Sequence, residues 1–326
     1  MIKPSSCHLG MTLVAAMVLL AVLPDAGFAQ SSFWTPQGPV AVEQKAHLIR
    51  VTLLTMIAVL PVLVLVPLML WRYRYRNKKA KYSPEWEYSG FLDMLMWGVP
   101  IAIVIALSIQ LSLSVRRLDP YRPVSTSDAT LRVQVVGLDW KWLFIYPDLG
   151  IATMGEMAFP SEVQVGLTLT SDTVMQSFTV SALAGQIYVM PGMETALYLD
   201  ANGPGRFQGE NMQFNGTGFA QQKFDAVAMS DADFEAWVDQ VRSTGVPLNV
   251  QTYQTLSVRS TQAEARAALG NSNMPQTALF FATIPDGFFA QIVDRYRTGH
   301  PVRAHEQPGA PGFDAPVPAP RQGLQE

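Results

Sequence analysis

Apolar and polar positions along this chain follow three regimes in turn: unbroken apolar runs, then alternation at period two, then recurrence at three to four residues. The runs cover 11–23, 51–71 and 94–115. The first is short for a membrane span and follows Lys3, and after it come Pro24 and the small-residue sequence Gly27-Phe28-Ala29. That order predicts a signal peptide over 1–29, cleaved after Ala29. The other two runs approach the ~20 residues that cross ~30 Å of hydrocarbon. They predict two transmembrane helices, about 48–71 and 92–115, within a segment 30–120. Pro61, Pro67 and Pro100 fall inside or near the ends of these spans, where freed carbonyls must find neighbours. Ser108, Gln110, Ser112 and Ser114 either hydrogen-bond to a packing partner or mark where the helix emerges.

Beyond Asp119-Pro120 the period changes to two. Leu131, Val133 and Val135 alternate with polar residues, as do Val163, Val165, Leu167 and Leu169, so each strand has one buried face. Further strands are expected at 142–146, 177–181, 187–190, 195–199 and 224–229, with turns at 146–148, 190–192 and 201–205. About a hundred residues of short strands, 121–230, read as a β-sandwich. Helical spacing follows. Ser230 and Asp233 predict a helix start, Phe234, Trp237, Val238 and Val241 its buried face, and Gly245 its end. A weaker helix is expected over 262–269, then a strand-like LFFATI and a helix with Phe288, Phe289, Ile292 and Val293 on one face. This C-terminal region spans 231–300, and the Pro-, Gly- and Ala-rich tail 301–326 is expected to be disordered.

Charge sets the expected orientation. Arg72, Arg74, Arg76, Lys78, Lys79 and Lys81 cluster between the two spans, against only Arg116 and Arg117 after the second, which keeps the loop in the cytoplasm and the large domain outside. Tyr73, Tyr75, Tyr82, Trp86 and Tyr88 suit an interfacial aromatic belt. With a net charge of −3 and no basic stripe, nucleic-acid binding has no support. The single cysteine is Cys7, and the histidines are His8, His47, His300 and His305. A body without cysteine, and without histidine between 47 and 300, offers copper or zinc none of the ligands they prefer. No Ser-His-Asp, Cys-His or phosphate-cradling arrangement is present, and Asp231, Asp233 and Glu235 read as a solvated helical turn.

The stretch 206–224, RFQGENMQFNGTGFAQQKF, resembles the loop that carries the dinuclear copper centre in subunit II of cytochrome c oxidases. Its ligand positions are occupied by Asn211, Asn215, Phe219 and Gln222, the carboxylate position by Gln213 and the upstream histidine position by Gln176, while Gly209, Gly216 and Gly218 remain. With AKYSPEW at 80–86, WGVP at 97–100, DWKWLFIYPDLGIAT at 139–153 and SFTVSALAGQIYVMPGM at 177–193, the chain from Gln44 to about Arg297 resembles subunit II of bacterial bo-type quinol oxidases, a branch of the haem-copper oxidases.

The resemblance implies a two-helix transmembrane hairpin, an all-β cupredoxin-like Greek-key sandwich and a C-terminal helical arm lying along a partner subunit. It implies a bacterial inner-membrane subunit, with its large domain in the periplasm, in a complex that oxidises ubiquinol, reduces oxygen and moves protons. Haem and copper would reside in subunit I; this chain would hold no cofactor, and its partners would be subunit I, smaller subunits and membrane lipid. In the family a carboxylate at the position of Asp93 stands at the mouth of a proton-uptake path. Read from the residues alone, Asp93 is an acid near a helix N-terminus. Asp139, Trp140 and Trp142 are expected to serve core packing and contact with subunit I. A membrane-anchored periplasmic binding or assembly module is the alternative, and a working cytochrome c oxidase subunit ranks below it.

Overall fold

The computed structural model describes residues 33–78, 84–124, 130–270, 273–275, 277–297, 307 and 310; the expected signal peptide, Cys7, His8, Lys79, Lys81, Tyr82, His300, His305 and nearly all of the tail lie outside them. Two helices come first, α1 (Pro39–Arg72) and α2 (Gly90–Arg117). Both are long and apolar enough to cross a membrane. The first begins well before its apolar run. Pro39, in the first turn where its missing N–H costs nothing, starts a polar segment holding Glu43, Gln44 and Lys45. The two helices meet through Ser114 Oγ and His47 Nδ1, 2.8 Å apart.

The rest is a sandwich of a seven-stranded and a five-stranded sheet. Its strands are β1 (Thr130–Leu138), β2 (Lys141–Tyr146), β3 (Ile151–Met154), β4 (Glu156–Pro160), β5 (Gln164–Ser171), β6 (Gln176–Thr179), β7 (Gln186–Val189), β8 (Thr195–Leu199), β9 (Gly205–Asn211), β10 (Lys223–Met229), β11 (Val246–Pro247) and β12 (Leu279–Thr283). One sheet runs β11-β12-β3-β2-β1-β5-β8, the other β4-β10-β9-β6-β7. β1 pairs in parallel with β5, and β4 with β10. Between the sheets the rings of Trp142, Phe144, Phe178 and Phe224 pack together; Phe144 and Phe178 lie 4.9 Å and 5.1 Å from Phe224.

Four helices follow the sandwich: α3 (Asp231–Thr244), α4 (Val250–Ser257), α5 (Gln262–Leu269) and α6 (Phe288–Asp294). The first starts at the expected cap, Ser230 Oγ accepting from Asp233 N at 3.2 Å, and buries Phe234, Trp237, Val238 and Val241. Trp237 packs on Tyr146 and Phe280 and donates from Nε1 to Glu156 at 2.9 Å, so α3 closes the side where β3 and β12 approach β4. This region folds back onto the sandwich, since β12 pairs with β3. It explains why every residue of β2 is buried rather than every second one. Lys141, which shares a strand face with Leu143 and Ile145, reaches the carbonyls of Val258 and Ser260, so the segment after α4 covers that face.

The hairpin is fixed to the sandwich at its N-terminal end. Gln37 N donates to Ala182 O at 2.8 Å, Ala41 N to Leu183 O at 3.2 Å, and Asn202 N to Gln37 O at 2.8 Å. Gly38 sits so close that a Cβ would lie 2.3 Å from Asp200 O. Just beyond the other helix, Tyr198 N donates to Pro120 O at 3.3 Å.

Candidate functional site

Two places merit attention: the end of the sandwich formed by the 206–224 loop, and Asp93. At the sandwich end, β9 delivers Asn211, β6 begins with Gln176, and the 3-10 turn Phe219–Gln221 leads into Gln222. The side chains of Asn211, Gln176 and Gln222 are all buried. They bond to one another. Gln222 Nε2 donates to Gln176 Oε1 at 2.6 Å, while Gln222 Oε1 accepts from Asn211 Nδ2 at 3.0 Å and from Asn215 Nδ2 at 2.8 Å.

Backbone groups complete the set. Asn211 Oδ1 accepts from Ser177 N and Gln213 N, each at 2.9 Å, Asn211 Nδ2 also donates to Gln213 O at 2.8 Å, and Gln176 Nε2 donates to Leu138 O at 3.2 Å. Four of the six positions singled out in the sequence thus form one carboxamide network. Gln213 joins it only through its backbone, and Phe219 stands apart, packed on Phe214 with ring centroids 5.7 Å apart. Copper is held by thiolate, imidazole and thioether lone pairs. A set of carboxamides whose N–H groups are spent on one another does not suit it. Among the described residues no group of three or more His, Cys, Asp or Glu is placed to hold a metal ion.

Trp140 lies over the loop. It adopts a left-handed backbone with φ 79° in the β1–β2 turn, its Nε1 donates to Asn215 O at 3.2 Å, and its ring covers Gly218, where a Cβ would come within 2.1 Å. Gly216 and Gly218 therefore serve close approach of this indole, whereas a Cβ at Gly209 would meet the Phe224 ring at 2.0 Å. Neighbouring Asp139 is buried and pairs with Arg259 at 2.9 Å, and the Arg259 guanidinium sits 6.0 Å from the Trp140 ring centroid. Trp142 is buried in the core.

Two buried charges lie near this end, and the sequence reading named neither as chemistry. Lys141 Nζ is ringed by Asp139 O, Val258 O, Ser260 O and Ser260 Oγ at 2.8–3.0 Å. Burial lowers its ammonium to about 8, against the pull of Asp139 and Glu264. Asp172 is fully buried; Arg295 Nη1 reaches its two oxygens at 2.7 and 2.8 Å, and the Tyr253 and Tyr296 hydroxyls donate to it. Burial raises this carboxyl to about 6, outweighing the Arg295 guanidinium. Both groups tie the C-terminal helices to the sandwich.

Asp93 occupies the first turn of α2, exposed, its backbone N–H bonded to Ser89 O at 2.9 Å. It lies at the same end of the hairpin as the basic loop, far along the chain from the carboxamide network.

No family model matches the chain. Subunit 2 of the cytochrome bo(3) ubiquinol oxidase of Pseudomonas putida is 39% identical over 300 residues, covering 90% of this chain and 91% of that protein. Ubiquinol oxidase subunit 2 of Acetobacter aceti is 37% identical over 266 residues, 81% of this chain and 82% of the relative. Among solved structures, the periplasmic domain of subunit II of the Bradyrhizobium japonicum cytochrome oxidase matches 35% of this chain and 95% of its own at 22% identity, with a TM-score of 0.34.

Proposed function

This chain belongs to the family of bacterial quinol oxidase subunit 2 proteins, and from that membership we propose how it serves its complex. It is a membrane-anchored subunit of a terminal quinol oxidase, an oxidoreductase. The complex couples ubiquinol oxidation and reduction of oxygen to proton translocation. Haem and copper belong to a larger partner, subunit I, and this chain carries no redox centre. Its sandwich stands on the periplasmic side, because the basic loop between α1 and α2 favours the cytoplasm.

The observation that carries the reading is the carboxamide network at the positions where copper ligands stand in the cytochrome c-oxidising relatives. An electron arriving from a soluble carrier has no acceptor in such a loop, whereas quinol reaches its partner from the lipid. The hairpin also suits burial against another subunit: Pro61, Pro67 and Pro100 sit inside its continuous helices, each leaving a carbonyl without its usual N–H partner, and Gln110 Nε2 has no acceptor among the described residues.

The test is made on the purified complex, with oxygen uptake driven by ubiquinol or by reduced cytochrome c and copper measured in the separated subunits. Quinol-driven uptake with copper confined to the haem-bearing subunit is the expected result. Uptake driven by cytochrome c, with a copper pair in this subunit, overturns it.

A further inference from the structure

Where the hairpin meets the sandwich there is a crevice of about 750 Å³, large enough for a small ligand. Its walls come from three places: Pro39, Glu43 and Gln44 at the start of α1, Arg117 at the end of α2 with Asp119 and Arg122 in the segment after it, and Gln186 and Tyr198 of the sandwich. The same backbone bonds that dock Gln37, Ala41 and Tyr198 hold these walls in place. The crevice is therefore built into the joint between two parts of the molecule.

Its lining holds two arginines and two acids, and pairing of Glu43 with Arg50 leaves it net positive. Arg117 and Arg122 line it, and neither makes an ion pair among the described residues. Of the two lining acids, Glu43 pairs with Arg50 at 3.0 Å, while Asp119 keeps its charge, its Oδ1 accepting from Tyr121 N at 3.0 Å. Two guanidiniums without a carboxylate partner, one of them Arg122 with a single 3.4 Å bond to Arg116 O, thus stand over apolar walls, and beside them run the exposed apolar flanks of both helices, including Leu111, Val115 and Leu48. A ligand that meets all three surfaces carries a phosphate at one end and acyl chains at the other.

We propose that this crevice is a binding site for an anionic phospholipid of the outer leaflet. Its phosphate is held by Arg117 and Arg122, its glycerol lies against Gln44, Gln186 and Tyr198, and its chains descend along α1 and α2. The site rests on the membrane orientation given above, and its role is to cement the hairpin to the sandwich.

The test uses the purified oxidase in nanodiscs of zwitterionic lipid containing a small share of photo-crosslinkable phosphatidylglycerol, with peptide mapping of the adducts. Adducts concentrate on peptides holding 117–124 and 185–198. The double variant Arg117→Gln/Arg122→Gln binds about 25-fold more weakly, from roughly fivefold per basic side chain at an anionic lipid. Arg117→Lys/Arg122→Lys keeps most of the adduct, which separates lost charge from misfolding. Equal labelling of wild type and the Gln variant overturns the proposal. So does full competition by inorganic phosphate, which would make this a site for the free anion. Quinol-driven oxygen uptake, followed in parallel, reports on the oxidase reading separately from the lipid.

Discussion

Gln222 is the residue on which the sandwich end turns, because its one carboxamide donates to Gln176 and accepts from Asn211 and Asn215. Gln222→Met keeps the length and removes every one of these bonds. With roughly 1–3 kcal/mol for each buried polar group left unmatched, the variant is expected to lose about 2–4 kcal/mol locally. Hydrogen exchange of the 206–224 loop in the purified complex reads this out, and unchanged protection refutes it. At Gly218 an added methyl has no space beneath the Trp140 ring, so Gly218→Ala is expected to eject the indole at a cost of roughly 1–3 kcal/mol, seen as a red-shifted, more quenchable tryptophan emission. Asp93→Asn is expected to slow oxygen reduction and proton uptake while the complex still assembles; full turnover would leave Asp93 as a helix-terminus acid and no more. The sequence located these positions, yet not their relation. That four amides bond to one another depends on β6, β9 and the 3-10 turn converging, which no spacing along the chain reveals.

Among the elements, the legible ones are those whose pattern is local. The cap at Ser230, the buried face of α3 and the limits of β8 and α5 all follow from residues within a few positions of each other. The short strands β3, β4 and β9 carry no such pattern, since IATM, EMAFP and GRFQGEN are too brief or too glycine-rich to show a period. Helix α4, VQTYQTLS, has little apolar weight, and only its place against Phe288, with Tyr253 4.9 Å from that ring, gives it reason to form. The latch between α4, α6 and the sandwich is Asp172, and its acidity makes a pH prediction. The folded carboxyl titrates near 6 and the free one near 3.8, so between these values the folded state holds the extra proton. Stability from the neutral form is complete below about 3.8 and is lost as pH rises through 6, a change of roughly 3 kcal/mol. Corrected exchange protection of 288–296 should fall over that window, and the fall should vanish in Asp172→Asn. A flat profile in the wild type refutes the assignment.

For the whole molecule, the two-helix hairpin and the sandwich were both foreseeable from hydropathy and period, whereas their mutual attachment was not. It is made by main-chain groups of Gln37, Ala41 and Asn202 and by a glycine whose missing side chain admits the backbone of Asp200. Gly38→Val should force this joint open. Limited proteolysis of the complex is expected to cut between 33 and 45 several times faster in the variant, with the sandwich itself intact, and identical digestion patterns would count against the joint. A domain attached this way behaves as a strut and not as a bead on a string. Its height above the bilayer and its azimuth about the helices are set when the chain folds. Whatever protein lies beneath the sandwich is therefore always met by the same face, with no search over orientations and little entropy left to lose on assembly.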